Sequence, residues 1–223
     1  MPIGRRRPTL AEHHAALAHQ FDDLDQQREA SSLGMWVFLV TEIMFFGGLF
    51  TGYTVYRHAY PEAFADASRR LAVALGAVNT AVLICSSLTM ALAVRSAQVG
   101  KRRGVIAFLS LTMLLGSAFL VVKGVEYAHK FHDHLVPGAT FAFEGPHRPH
   151  AELFFSFYFA MTGLHALHMV IGIGILAALV VLSSRGRFSP DDYAAVENTG
   201  LYWHFVDIVW IFLFPLLYLI SRT

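Results

Sequence analysis

Five long stretches of apolar residues, each almost free of charged side chains, divide the chain. They are Leu33–Val55, Leu71–Val94, Val105–Val122, Leu153–Leu182 and Thr199–Ile220. Each is long enough for an α-helix rising about 1.5 Å per residue to cross a hydrocarbon layer about 30 Å thick. The pattern predicts an all-α membrane protein whose residues 32–223 form a bundle of five transmembrane helices.

The N-terminal segment, residues 1–31, has a different pattern. Leu10, Leu17, Phe21 and Leu24 recur at helical spacing among His, Asp and Gln residues, which is typical of a short amphipathic helix on a membrane surface or on a partner. A partly ordered tail is the alternative. No long apolar run follows Arg5–Arg7, so we expect no cleavable signal peptide in this segment.

Composition agrees with the membrane class. Apolar residues make up 55% of the 223 residues and charged residues 15%, whereas about a quarter of an ordinary soluble domain is charged. The formal charge is +1, so no basic excess points to nucleic acid. The single cysteine, Cys85, excludes an internal disulfide framework and a cysteine-rich metal site.

The distribution of basic residues predicts the orientation of the bundle. Ten lie on the side of the N-terminus, namely Arg5, Arg6, Arg7, Arg28, Arg95, Lys101, Arg102, Arg103, Arg185 and Arg187. Six lie on the other side, namely Arg57, Arg69, Arg70, Lys130, Arg148 and Arg222. Because cytoplasmic loops carry the excess of Lys and Arg, we expect a cytoplasmic N-terminus and an external C-terminus.

The longest predicted loop, from Lys130 to Glu152, lies on the external side and is rich in histidine. It contains His132, His134, His147 and His150, and His129 lies just before it. A metal site is one interpretation, but the spacing matches no compact ligand motif. Surface histidines in a polar loop are the interpretation that we favour.

Among the ionisable side chains within the five stretches or near their ends, we single out seven as candidates for function. They are Glu42, Lys123, Glu126, His165, His168, His204 and Asp207. Six of the seven form three pairs with i, i+3 spacing, which places each pair on one face of its helix. Glu42 lies near the middle of its span, where an unpaired charge is costly. It is therefore either protonated or paired, and by depth His165 or His168 is its partner.

Two other functions use the same side chains. Haem ligation would need two histidines at matched depth, and His204 lies closer to the cytoplasmic side than His165 and His168, so we favour hydrogen-bonded packing histidines over a redox cofactor. A transporter or proton channel could relay protons through Glu42, His168 and Asp207. The chain shows neither the internal repeat nor the broken helices typical of transporters.

Four segments resemble a known family, subunit III of the haem–copper respiratory oxidases, of which cytochrome c oxidase is the main branch. They read GMWVFLVTEIMFFGGLF at 34–50, KGVEYAHKF at 123–131, FYFAMTGLHALHMVIG at 157–172 and YWHFVDIVWIFLFPLLY at 202–218. The resemblance implies an accessory subunit without haem or copper of its own, bound to catalytic subunit I in a bacterial inner membrane. The haem and copper of such an oxidase, which reduces oxygen to water and translocates protons, would lie on partner subunits.

The resemblance also implies roles for individual residues and for lipid. Glu42 matches the family's buried carboxyl group that reacts with carbodiimides, and His165 and His168 match its paired histidines. Further matches to recurring polar positions are Glu126, Glu197, His204 and Asp207. Family members hold phospholipids in internal clefts, protect the enzyme from inactivation during turnover and help to sustain proton uptake. We therefore expect a hydrogen bond between Glu42 and His168, near bound phospholipid.

The sequence differs from the seven-span form of the family, whose first two spans are absent. The lipid cleft that those spans enclose would then be closed by another subunit or open to the bilayer. Subunit III of a quinol oxidase and the accessory protein of nitric oxide reductase are the alternatives within the family. Glu42 in the context TEIMFF favours the cytochrome c branch. Further candidate partners are subunit II, other oxidase subunits and a respiratory supercomplex.

Aromatic side chains of the first and last spans are candidates for contact with a partner subunit. They are Trp36, Phe38, Phe45 and Phe46 in the first span and Trp210, Phe212 and Phe214 in the last. By contrast, we expect Tyr202 and Trp203 to lie at the membrane interface as anchors.

Overall fold

The computed structural model describes residues 21, 23–144, 147–188 and 193–220. These residues form six α-helices and no β-strand: α1 (Leu24–Ala59), α2 (Pro61–Arg69), α3 (Val73–Gln98), α4 (Arg102–His132), α5 (Arg148–Ser184) and α6 (Ala194–Tyr218). All except α2 are long and apolar enough to cross a membrane. The predicted five-helix membrane bundle is confirmed.

Local sequence determines where several helices begin and end. The Asp23 carboxylate caps α1 by accepting a hydrogen bond from the Gln26 amide at 2.7 Å, as expected of an aspartate at this position. After α3, Gly100 adopts a φ of +69°, and the Lys101 amide then donates to the Ser96 carbonyl at 2.9 Å. This glycine-dependent helix end reverses the chain tightly, so α3 and α4 pack as antiparallel neighbours.

Helix α6 lies at the centre of the bundle, and α1 lies at its edge. α6 contacts α1, α3 and α5 and is the most enclosed of the five spans, whereas α1 is the least enclosed. Trp203 of α6 fits between two glycines, since a Cβ atom added to Gly116 or Gly172 would lie only 2.8 or 2.9 Å from its ring. The absence of side chains at these two positions makes room for the indole, so Trp203 of α6 packs directly against α4 and α5.

The short helix α2 was not predicted from the sequence. Pro61 occupies its first turn, and it packs against α5 with smaller contacts to α1 and α6. Phe64 is fully buried against Tyr53 and Phe154, and the Ser68 hydroxyl donates to the Leu217 carbonyl at 2.8 Å. α2 therefore closes the end of the bundle where α1 ends and α5 begins.

The N-terminal segment is described only from Phe21 and then Asp23 onward. Most of the predicted amphipathic helix therefore lies outside the described residues. α1 begins at Leu24 and continues without interruption through residues 31 and 32, where the sequence suggested the start of the membrane domain.

The predicted positions of several aromatic residues are wrong. Tyr202 and Trp203 do not anchor the chain at an interface, because both are buried, and the Trp203 indole N–H donates to Ser86 Oγ at 3.0 Å. Trp210 and Phe46 are also buried inside the bundle and are not available to a partner. The spans are apolar on all sides, so their sequence does not show which side faces inward. The candidates that remain exposed are Trp36, Phe38, Phe45 and Phe212.

Candidate functional site

Glu42 of α1 and His168 of α5 form the polar contact that the sequence predicted between these spans. Their Oε2 and Nε2 atoms lie 3.1 Å apart. Glu42 lies close to the midpoint of α1, and His168 lies close to the midpoint of α5. The contact is therefore at mid-span in both helices, where polar groups usually have partners.

The hydrogen bonds of His168 constrain the proton content of this pair. Its Nδ1 atom lies 2.8 Å from the Leu164 carbonyl oxygen, which can only accept, so Nδ1 carries a proton. Nε2 then either accepts a hydrogen bond from a protonated Glu42 or, as an imidazolium, donates to the Glu42 carboxylate. In both arrangements, Glu42 and His168 share one proton.

The Glu42–His168 pair lies at the outside of the bundle and remains partly accessible. The side chains are 19% and 13% exposed. Phe46 packs against the imidazole with ring centroids 5.6 Å apart, and the Tyr202 hydroxyl donates to the His168 carbonyl at 2.9 Å. Because α1 is little enclosed by the other helices, its accessible carboxyl group could meet a lipid, a carbodiimide or a neighbouring subunit.

A second polar cluster joins α4, α5 and α6 around Lys123. The Lys123 ammonium donates to Glu126 Oε2 at 2.9 Å, to the Tyr158 hydroxyl at 3.1 Å and to the Tyr218 hydroxyl at 2.9 Å. The Tyr218 hydroxyl in turn donates to Glu126 Oε1 at 2.7 Å. All four side chains are buried. The lysine and glutamate therefore neutralise each other within a hydrogen-bonded network.

Aromatic rings surround the same ammonium group. Lys123 Nζ lies 4.9 Å from the Tyr158 ring centroid, 5.2 Å from that of Tyr127 and 5.2 Å from that of Trp210. Ring faces attract a cation at these distances. Lys123 thus holds three helices together through its charge, its hydrogen bonds and its ring contacts. Because the ammonium group is enclosed by these contacts, the cluster is structural and leaves no open side for a ligand.

His165 does not pair with Glu42. It is 1% exposed, and neither ring nitrogen has a hydrogen-bond partner among the described residues. Its ring packs against Phe119 at 5.3 Å and Trp210 at 5.2 Å between centroids. The two neighbouring histidines of α5 therefore have different surroundings, with His168 in the accessible pair and His165 in the core.

The third polar group joins α3 and α6. Ser87 Oγ and His204 Nδ1 lie 2.8 Å apart, and Asp207 lies beside them, buried with 3% exposure. The Ser87 hydroxyl is within interaction range of the Asp207 carboxyl group, but its hydrogen-bond contact is with His204. Neither Asp207 oxygen has a hydrogen-bond partner among the described residues.

The remaining candidates lie apart from these three groups. Glu197 is exposed in the first turn of α6, where a carboxylate interacts favourably with the helix dipole. In the segment predicted as the longest loop, His150 lies in the first turn of α5 and stacks on Tyr60 with ring centroids 3.8 Å apart. His147 Nε2 lies 3.6 Å from Glu62 Oε2. Within the part of the chain that the structure describes, no three His, Cys, Asp or Glu side chains converge as metal ligands would.

Sequence reasoning missed the partners of the ionisable residues. Tyr158 and Tyr218 complete the Lys123 cluster, and Ser87 completes the His204 contact. Hydroxyl groups within apolar spans were the available signal, because buried Tyr and Ser hydroxyls need hydrogen-bond partners. The sequence alone could not show which hydroxyl reaches which ionisable group.

Comparison with known proteins places the chain among respiratory oxidase subunits. Residues 23–222 match the family model "Cytochrome c oxidase subunit III". The chain is 36% identical over 192 residues to cytochrome c oxidase subunit 3 of Corynebacterium diphtheriae, covering 85% of this chain and 88% of that protein. It is 34% identical over 188 residues to the protein of the same name from Synechocystis, covering 84% and 74%. Quinol oxidase subunit 3 of Bacillus subtilis is 31% identical over 211 residues, covering 93% and 97%.

Proposed function

This chain belongs to the cytochrome c oxidase subunit III family, and from that premise we propose how it serves a haem–copper oxidase as an accessory subunit. We propose that it binds the catalytic subunit I, stabilises that subunit and supports proton uptake, while haem and copper are held by partner subunits. The complex would reduce oxygen to water, translocate protons and reside in a bacterial inner membrane. The N-terminus would lie in the cytoplasm and the C-terminus outside.

The Glu42–His168 pair is the observation that supports this role. Among the three polar groups, it is the one in which a carboxyl group on the exposed edge helix α1 meets a histidine at mid-span while both stay partly accessible. A pair that shares one proton is neutral overall in either arrangement, and it can move that proton from one side chain to the other when a neighbouring subunit or phospholipid approaches. The Lys123 cluster, being enclosed, would keep the bundle rigid behind that surface.

The test is purification of the complex from membranes through a tag on this chain. We expect a haem spectrum, a copper content and oxygen consumption to accompany the tagged chain, together with bound phospholipid detected by mass spectrometry. Removal of the chain should leave an oxidase that consumes oxygen at first but inactivates sooner during turnover. A tagged chain that purifies without haem would contradict the proposal.

Cytochrome c is the electron donor that we propose, on the basis of the Glu42 context. A quinol is the alternative, because the chain aligns with a quinol oxidase subunit 3 over nearly its full length. The purified complex should oxidise reduced cytochrome c and should not depend on added quinol. Turnover with quinol alone would favour the alternative without changing the accessory role. A larger respiratory supercomplex would appear as additional cytochromes in the same preparation.

A further inference from the structure

A groove on the outside of the bundle separates α3 from α6 near the middle of both helices. It has a volume of about 390 Å³ and is lined by Leu83, Ile84, Ser87, Leu88, Ala91, His204, Asp207, Ile208 and Ile211. Ile84, Leu88, Ile208 and Ile211 are between 45% and 62% exposed. The groove is therefore open along its length, with apolar walls and a polar floor.

The floor of the groove is incomplete within this chain. Asp207 lies close to the midpoint of α6, so it cannot reach either membrane surface. It is 3% exposed, and neither oxygen has a hydrogen-bond partner in the described ranges. A carboxyl group without a donor at this depth is costly whether it is ionised or neutral. Ser87 is within interaction range of Asp207, but its contact at hydrogen-bond distance is with His204 at 2.8 Å, so the groove has room for a donor from outside this chain.

We propose that this groove receives a transmembrane helix of a partner subunit whose mid-span hydrogen-bond donor binds Asp207. This inference rests on the proposed function, which requires at least one neighbouring subunit. The donor would be the ammonium, guanidinium, amide or hydroxyl group of a side chain that points into the groove. Ser87 and Ala91 are small, so they let a partner backbone approach α3 closely.

A lipid acyl chain would fill the apolar walls but would leave Asp207 without a donor. A quinone ring offers carbonyl oxygens that could accept from a protonated Asp207, but it offers a donor only when reduced. An amide or hydroxyl side chain can both donate and accept, so it satisfies the carboxyl group in either protonation state, and an ammonium or guanidinium group satisfies its ionised form. Charge and hydrogen-bond complementarity therefore favour a helix.

Photo-crosslinking in the intact membrane tests this inference without altering Asp207. p-Benzoylphenylalanine would replace Leu88 in the groove or, as a control, Leu114 of α4. The two leucines are 62% and 64% exposed, and each lies between the midpoint of its helix and the turn that joins α3 to α4. We expect irradiation to join the Leu88 variant, and not the Leu114 variant, to one oxidase subunit. Adducts with lipid or quinone alone, or no adduct, would overturn the inference.

Substitution of Asp207 provides the second arm. Asp207→Leu removes the acceptor, whereas Asp207→Asn keeps one. We expect Asp207→Leu to lower the amount of this chain that co-purifies with haem by about tenfold, the effect of losing one charge-assisted hydrogen bond, and Asp207→Asn to lower it less. Equal retention of both variants would overturn the inference. The amount of the chain in membranes should stay unchanged, since Asp207 accepts no hydrogen bond from the described residues.

The two proposals can fail separately. If the unaltered chain purifies with haem but the Leu88 variant forms no protein adduct, the accessory function stands and only the docking of a helix in the groove is wrong. If the unaltered chain purifies without haem, the accessory function is wrong, and the inference falls with it.

Discussion

Lys123 and Glu126 are one helical turn apart on α4 and form a salt bridge that is closed to solvent. Their Nζ and Oε2 atoms lie 2.9 Å apart, and the side chains are 4% and 3% exposed. Two tyrosine hydroxyls from α5 and α6 complete the arrangement. Because each charge depends on the other, removal of one partner should be far more harmful than removal of both.

We expect Glu126→Ala to lower the free energy of unfolding by about 3–5 kcal/mol, the usual cost of leaving one buried charge without its partner. The measurement is denaturant unfolding of the purified chain in mixed micelles, followed by circular dichroism. The double variant Lys123→Met with Glu126→Leu should recover most of the loss, since apolar side chains of similar volume replace both charges. A double variant as unstable as the sum of the two single variants would contradict this account.

Gly172 and Gly174 of α5 provide a second test of packing. A Cβ atom added to Gly172 would lie 2.9 Å from the Trp203 ring, whereas one added to Gly174 would meet nothing within 4 Å. We expect Gly172→Ala to destabilise the bundle by about 1–3 kcal/mol through overpacking. The matched control, Gly174→Ala, should be neutral or stabilising by about 0.5–1 kcal/mol, because alanine is preferred to glycine inside a helix. Equal effects of the two substitutions in the same unfolding assay would show that the Trp203 contact is unimportant.

His165 and His168 should respond in opposite directions to the same substitution. His165 has no hydrogen-bond partner among the described residues and already packs against aromatic rings. His165→Phe should therefore raise the free energy of unfolding, by about 1–2 kcal/mol, because it removes unsatisfied polar atoms while keeping a ring of comparable shape. His168→Phe should lower it, since Glu42 loses its partner. Destabilisation by His165→Phe comparable with that by His168→Phe would indicate a polar contact of His165 that the bundle requires.

The sequence was sufficient to predict the five spans, because a membrane helix must satisfy its backbone internally and be apolar over a set length. It also predicted that Glu42 and His168 meet, from their depth and from the family resemblance. It could not predict which side of each span faces inward. Trp203 and Trp210 illustrate this limit, since an indole at that depth can equally well face lipid or pack in the core, and both are in the core.

Helix α2 and the Lys123 cluster were missed for different reasons. α2 is short, and its apolar residues Ala63, Phe64 and Ala67 form a pattern too brief to stand out beside the much longer membrane spans. The Lys123 cluster needs side chains from three helices, and Tyr158 and Tyr218 come from distant parts of the sequence. Such contacts depend on how the helices pack against one another. The repeat of apolar and polar residues along a single helix carries no information about that packing.

The shared proton of Glu42 and His168 predicts a specific chemical reactivity. Carbodiimides add to the protonated form of a carboxyl group, and Glu42 is partly accessible from outside the bundle. His168→Ala removes the hydrogen bond that occupies the Glu42 carboxyl group in either arrangement, so that group should be freer to react. We expect a hydrophobic carbodiimide to label Glu42 in the intact complex and to label it about tenfold faster in the His168→Ala variant, since a charge-assisted hydrogen bond of about 1.5 kcal/mol corresponds to a tenfold change. Mass spectrometry of the labelled peptide gives the rate.

Two further variants serve as controls. Glu42→Gln should abolish labelling. His204 lies against α3 rather than α1, so His204→Ala should leave the rate unchanged. An unlabelled Glu42, or a rate unaffected by His168→Ala, would show that the two side chains do not form this hydrogen bond in the membrane.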